Sequence, residues 1–181
     1  MAAEQPERKD CPAFPLEAKL RDGTTVYVRP ISGEDAEREQ AFVRALSPQS
    51  RYFRFLSGIR ELTPQAIDRF THPDPAREIA LVALTSLLPD AEQVGVARCA
   101  WRAQGEEAEF AIVVADAFQG KGLGWNLMTH LIACAKSRAV PRIWGLVLAN
   151  NSRMLDLMRA LGFRVEEADD PRLRRVVKEL R

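Results

Sequence analysis

The chain has 181 residues, of which 46% are apolar and 28% charged, and its formal net charge is +1. That length fits one domain better than two, and the balance is that of a soluble globular protein. A charge so near zero excludes a strong bias towards nucleic acid, a membrane surface or acidic partners.

Residues 1–19 read as a loosely ordered arm, polar and punctuated by Pro6, Pro12 and Pro15. Glu4, Glu7, Arg8, Lys9 and Asp10 leave no apolar core for a secretory leader. Residues 20–181 then read as one domain. Thr24 to Arg29 alternates and is rich in β-branched and aromatic residues, which predicts the first strand. Ser32 with Asp35 makes a capping box for a helix to about Leu46. A second helix starts at Thr63 as N-cap and Pro64 as first helical residue, with Leu62 and Ile67 as hydrophobic staple. It ends before the His72-Pro73-Asp74-Pro75 turn.

Three strand-like runs follow, Glu78 to Leu84, Gln93 to Arg102 and Glu107 to Ala115. Turns at Pro89-Asp90 and Gln104-Gly105 join them into an antiparallel meander. The stretch Ile79 to Leu88 is apolar but too short to span a bilayer. Leu123, Leu127, Leu131 and Ala135 recur every four residues and predict a long amphipathic helix. A buried strand at Ile143 to Leu148 and a helix from Asn151 to Leu161, stopped by Gly162, come next. Residues 163–168 and 173–179 read as a last pair of strands, the basic run Arg172 to Arg181 being a solvated edge strand. A meander followed by βαβ crossovers predicts an α/β (α+β) fold, a mixed sheet of about seven strands with helices on both faces.

Three widely spaced cysteines, Cys11, Cys99 and Cys134, argue against a disulfide framework and for a reducing cytoplasm. His72 and His130 lie far apart and read as structural, and no cysteine pair has metal-ligand spacing, so no metal is expected. No nucleic-acid or membrane partner is expected either, and a homodimer is left open.

The chemistry concentrates at Gln119-Gly120-Lys121-Gly122-Leu123-Gly124, between a strand and a helix. Alternate glycines let the backbone turn tightly and bring its N–H groups close to a ligand. The helix that follows points unsatisfied N–H groups and its positive dipole end at that turn, which makes an anion site suited to phosphate. Lys121 adds a positive charge. A P-loop needs Ser or Thr after Gly-Lys, and here Gly122 follows Lys121. The dinucleotide fingerprint fails as well, because its third glycine would fall on Trp125 or Leu127.

Gln119-x-x-Gly122-x-Gly124 after a strand resembles the acetyl-CoA pyrophosphate motif of GNAT-type N-acetyltransferases. Asn151, Met154, Met158, Gly162 and Phe163 match the spacing of that family's Asn-x-x-Ala-x-x-x-Tyr-x-x-x-Gly-Phe helix. The resemblance covers roughly residues 20–181 and implies a GNAT-like, mostly antiparallel sheet and acetyl-CoA as cosubstrate. It implies that N–H groups of Gly120, Lys121, Gly122, Leu123, Gly124 and Trp125 hold the pyrophosphate, with Gln119 in the same motif. It implies that Ile112 and Val114 pair with the pantetheine arm, and that Asn151 both caps its helix and touches the cofactor. One departure stands out. Met158 occupies the position of the tyrosine that protonates the leaving thiolate, and a thioether cannot donate a proton.

The N-terminal half narrows the resemblance. Leu20-Arg21-Asp22-Gly23, Val28-Arg29-Pro30 and Leu46-Ser47-Pro48-Gln49-Ser50-Arg51-Tyr52-Phe53-Arg54-Phe55 look like the catalytic domain of bacterial protein lysine acetyltransferases. The implied acceptor is a protein lysine, with small-molecule amines and a catalytically inactive acyl-CoA sensor as alternatives. Glu109 precedes the apolar run Phe110 to Val114, where partial desolvation would raise its pKa towards that of a useful base, and it matches the glutamate base of those enzymes. Glu106 and Glu107, nearer the turn, read as solvated. Arg51, Tyr52 and Arg54 are candidate acceptor contacts, since that segment borders the acceptor site in the resembled fold. The amine would attack the thioester directly, Cys134 lying in a helix without an activating base.

Overall fold

The computed structural model describes residues 11–103 and 106–180. The strands are β1 (Leu16–Lys19), β2 (Thr25–Pro30), β3 (Glu78–Leu84), β4 (Gln93–Ala100), β5 (Ala108–Val114), β6 (Arg142–Leu148), β7 (Arg164–Glu167) and β8 (Leu173–Glu179). The helices are α1 (Ala36–Ala45), α2 (Pro48–Phe55), α3 (Pro64–Thr71), α4 (Leu123–Ser137) and α5 (Ser152–Ala160). The eight strands form one sheet in the order β1-β2-β3-β4-β5-β6-β8-β7. Every neighbouring pair is antiparallel except β5–β6, which the α4 crossover makes parallel.

The expected mixed sheet and two covered faces are present, with four corrections. Residues 16–19, assigned to the arm, form β1, which pairs with β2 and raises the strand count to eight. Residues 48–55, left without structure, form α2. Ser47 caps it by accepting the Ser50 N–H at 3.1 Å, and Pro48 takes the first turn, where its missing N–H costs nothing. The basic C-terminal strand is not an edge, for β8 runs between β6 and β7. Cys11 and Cys134 are disulfide-bonded. An odd cysteine count argues against a framework of bridges, but it cannot reveal that one N-terminal segment runs beside α4. The argument for a reducing compartment therefore loses its premise. Cys99 is free and buried in β4, where desolvation pushes its thiol up to about 12.

The core divides by sheet face. Leu123, Leu127, Met128 and Leu131 of α4 and Leu155 and Met158 of α5 pack on one face with Phe110, Ile112 and Ile143. Phe42, Val43, Leu46 and Leu62 cover the other with Val82, Val96 and Val113. Adjacent β5 residues thus serve opposite faces, as strand alternation requires. The α5 C-terminus closes as a Schellman turn, with Gly162 at φ +79° and the Phe163 N–H donated to the Met158 carbonyl at 2.9 Å.

Asp35 fixes β2 to α1. It is fully buried, and both its oxygens accept from Arg29 at 2.7 Å. Arg38 and the Ser32 N–H add bonds at 3.0 and 2.9 Å. Desolvation raises the carboxyl's pKa, but the bonds from Arg29 and Ser32 outweigh it and hold the group below its ordinary range. Asp35→Ala leaves Arg29 and Arg38 without their carboxylate and is expected to lower stability by about 3–5 kcal/mol. The folded pKa is depressed, so this stability is complete above the unfolded value of ~3.9 and is lost as pH falls through the folded value. Urea titrations of wild type and Asp35→Asn from pH 7 downward should show their stability gap narrowing only below about pH 4.

Candidate functional site

Strands β5 and β6 pair only at Ala108↔Ile143 and Glu109↔Trp144 and then part. The direction of the freed groups follows from the other edge. The Ala115 N–H bonds the Val94 carbonyl at 2.9 Å, so residues 115, 113, 111 and 109 direct their backbone groups at β4. Phe110, Ile112 and Val114 therefore direct theirs into the gap. The Phe110 ring lies against Gly145, where an added Cβ would meet it at 2.8 Å, and it packs 5.4 Å from the Phe163 ring.

The gap opens into a cleft of about 660 Å³. At its mouth the β5–α4 loop turns through Gly120 and Gly122, at φ +74° and +94°. Gly122 is the N-cap of α4, and the first bond of the helix runs from the Asn126 N–H to the Gly122 carbonyl at 3.1 Å. The N–H groups of Leu123, Gly124 and Trp125 thus point out of the first turn without an intrahelical acceptor. Gly124 lets α5 approach, for a Cβ there would lie 3.1 Å from Leu157. The loop is held open on both sides. Gln119 donates to Ser50 Oγ and to the Val114 carbonyl, both at 3.1 Å, and accepts from Arg153 at 2.9 Å. Asp116 accepts from the Ser47 N–H at 2.9 Å, Ser47 Oγ at 2.7 Å and Ser50 Oγ at 2.8 Å. Desolvation raises the Asp116 pKa, yet the bonds from Ser47 and Ser50 outweigh it and hold it below the ordinary range.

The cleft lining includes Glu109, Ile112, Val114, Gln119, Gly120, Gly122, Gly124, Trp125, Asn151 and Arg54. The other expected residues stand elsewhere. The Leu123 side chain is fully buried in the core, so only its N–H is available to a ligand. Lys121 lies outside the lining, paired with Asp22 at 2.8 Å, and that bond pulls the Asp22 carboxyl down to about 2. Arg51 donates to the Leu46 carbonyl and to the Arg44 carbonyl, and neither it nor Tyr52 lines the cleft. The helix explains this. Gln49, Ser50, Phe53 and Arg54 share the face of α2 that meets β5, whereas Arg51 and Tyr52 turn away. Glu109 is exposed rather than desolvated, so the apolar sequence around it says little of its own environment. Asn151 does cap α5, its Oδ1 accepting the Met154 N–H at 3.2 Å. Met158 is fully buried and does not line the cleft.

Two arginines escaped the sequence reading. Arg21, in the β1–β2 turn, donates its N–H to the Lys121 carbonyl at 3.0 Å, and its side chain passes 3.7 Å from where a Gly122 Cβ would stand. Arg153 reaches the cleft from α5. Both flank the loop with positive charge. Together, a phosphate-sized nest of N–H groups, an unpaired strand edge and a carboxylate at the vertex can hold an extended anionic ligand and deprotonate a nucleophile at its end.

Residues 25–164 match the acetyltransferase (GNAT) domain family. Acetyltransferase PA5475 of Pseudomonas aeruginosa is 39% identical over 144 residues, 80% of this chain and 77% of that protein. Acetyltransferase Pat of Mycolicibacterium smegmatis is 32% identical over 152 residues, which are 82% of this chain and 44% of Pat. This chain thus spans less than half of that relative's length. Among solved structures, the GNAT domain of S. lividans PAT superposes with a TM-score of 0.83 at 29% identity, over 97% of this chain and 99% of that one.

The Asp116 network makes a mechanical prediction. Asp116→Ala removes the acceptor shared by Ser47 and Ser50, so α2 should loosen from the loop. Hydrogen exchange should rise in residues 47–55 while β3–β5 stays protected; unchanged exchange there would mean that packing alone holds α2.

Proposed function

This chain belongs to the family of acetyl-CoA-dependent GNAT N-acetyltransferases, and on that premise we propose that it acetylates a primary amine, a protein lysine, by direct attack with Glu109 as general base. The observation that carries the reading is the parting of β5 and β6 at Glu109, beside the glycine loop. It offers one continuous track for the cofactor, with the base at its far end.

The residues present fit acetyl-CoA. The N–H groups of the loop and of the first turn of α4 suit the pyrophosphate, with Arg21 and Arg153 as flanking charges. The β5 edge at Ile112 and Val114 suits the amide-bearing pantetheine arm, which pairs as an added strand would. An N–H there can also stabilise the oxygen charge that develops on the thioester carbonyl. Asn151 borders the same track. Bound acetyl-CoA supplies the activated acyl group.

Glu109 supports the amine side. A lysine amine with a pKa near ~10.4 costs about 4.6 kcal/mol to deprotonate at pH 7. On strand alternation, Glu109 lies on the face of β5 that meets α2, at the edge of the cleft. The hydroxyls and thiols at hand also favour direct attack. Ser50 is the one hydroxyl among its described lining residues, and its proton is already given to Asp116 at 2.8 Å. Cys134 is in a disulfide, and Cys99 is buried with a pKa of about 12. The protein lysine rests on the N-terminal blocks from Leu20 to Phe55, which resemble bacterial protein lysine acetyltransferases. Two of those blocks reach the cleft, through Arg21 of the β1–β2 turn and through Gln49, Ser50, Phe53 and Arg54 of α2.

Glu109→Gln is expected to lower turnover by about 10²-fold, with acetyl-CoA affinity little changed. Thiol release with a lysine peptide and calorimetry with acetyl-CoA test this, and wild-type turnover in the variant would refute the assignment. Arg21→Ala removes a charge beside the loop and should weaken CoA binding by about tenfold, or ~1.4 kcal/mol. The same calorimetric titration with free CoA reads it, and an unchanged Kd would remove Arg21 from the phosphate site.

A further inference from the structure

Of the described arginines whose side chains have neither a hydrogen-bond nor an ion-pair partner, Arg21, Arg60, Arg77 and Arg102 are exposed and Arg54 is half-buried. Arg54 lies on α2 with its guanidinium 4.9 Å from the Phe55 ring centroid, on the wall of the cleft that Glu109 also lines. Elsewhere the fold pairs its half-buried arginines. Arg29 and Arg38 share Asp35, Arg175 has Glu107, and Arg98 donates to the Phe70 carbonyl at 3.0 Å. Arg98 lies close enough to add repulsion to Arg54, and its own Nε is buried without a partner. Desolvation and that repulsion bring Arg54 down to about 10, opposed by the charges of Glu39 and Glu109. Among the described residues no group accepts from the five Arg54 N–H donors, which leaves them available to an anion entering the cleft.

We propose that Arg54, backed by Arg98, is an anion subsite on the acceptor side of the cleft, selecting amines that carry a carboxylate a few bonds from the reacting nitrogen. The proposal rests on the acyltransfer reading and sharpens its acceptor. Glu109 and Arg54 line the same cleft with a negative and a positive group, the complement of an ammonium and its neighbouring carboxylate. A planar guanidinium takes a carboxylate in two parallel bonds and so orients as well as attracts. The carboxylate has two sources, an acidic side chain next to a protein lysine or the α-carboxylate of a free amino acid.

Two matched pairs separate them: a peptide with Lys-Glu against the same peptide with Lys-Gln, and free lysine against lysinamide. In the wild type, kcat/KM should favour the charged member of at least one pair by tenfold or more. In Arg54→Met that ratio should fall to about one, and Arg54→Lys should restore part of it. The CoA-induced thermal shift, measured in each variant, certifies that the fold and donor site are intact. No preference in either wild-type pair, or a preference that survives in Arg54→Met, overturns the proposal. Should no amine be acetylated, the acyltransfer reading fails. The subsite is then judged by thermal shifts of the CoA-loaded protein with the acetylated members of the same pairs. A charged-over-neutral difference lost in Arg54→Met supports it, and no difference in the wild type overturns it.

Discussion

The site depends on one interruption of hydrogen bonding. Two parallel strands hold register for two residue pairs and then separate, at Glu109↔Trp144. An unpaired strand edge inside a protein normally costs free energy or invites another chain. Here the edge is oriented by the intact β4–β5 ladder, whose alternation sends Phe110, Ile112 and Val114 into the gap. Because β5 and β6 are parallel, a helix must join them, and that helix starts at the open end of β5. The anion-binding end of α4 and the unpaired edge therefore meet at the same place for one topological reason. Glu109 stands where the pairing stops, on the opposite sheet face from Phe110.

The cleft is kept open by polar groups rather than by packing alone. Asp116 gathers Ser47 and Ser50 from α2, and Gln119 joins Ser50, the Val114 carbonyl and Arg153 of α5. Three elements that share no backbone pairing are thus fixed around the loop. On the outer side, the β1–β2 turn adds the Arg21 N–H to the Lys121 carbonyl and the Asp22–Lys121 ion pair. Lys121 positions the hairpin, and Arg21 is left as the charge that reaches the cleft. An exchange of roles between two basic residues is invisible in a motif that names only one of them.

Periodicity and capping made most of the fold legible. The meander, α4 and α5 stood out because their patterns extend over many residues, and Thr63-Pro64 marked α3 closely. The misses share a physical origin. β1 spans four residues, too few for alternation to register, and exists because β2 offers it an edge. α2 carries a clear start at Ser47-Pro48, but its eight residues are too few for the alternation of Arg and aromatic residues to reveal which of them share a face. On that face Arg54 lines the cleft, whereas Arg51 and Tyr52, the other two candidate acceptor contacts, do not. The turn through the glycine loop and the Asn151 cap were readable because both are local backbone geometry. Arg21 and the Cys11–Cys134 bridge were not, since each depends on segments about 100 residues apart or more coming together.

Met158 shows why the two proton transfers of an acyltransfer need not be served equally. Where the resembled family carries a tyrosine, this chain has a thioether, fully buried against α4 and the sheet. Its loss to solvent or to a polar group would cost core packing, so the position is committed to stability. The chemistry tolerates this because the leaving group is a thiol. An ordinary thiol has a pKa near ~8.5, so departure as the anion at pH 7 costs only about 2 kcal/mol, within reach of water and nearby backbone N–H groups. The incoming amine costs more than twice that to deprotonate. A chain that keeps one group for proton transfer gains more by keeping a base than an acid, and the cleft lining does hold a carboxylate, Glu109, where β5 and β6 part.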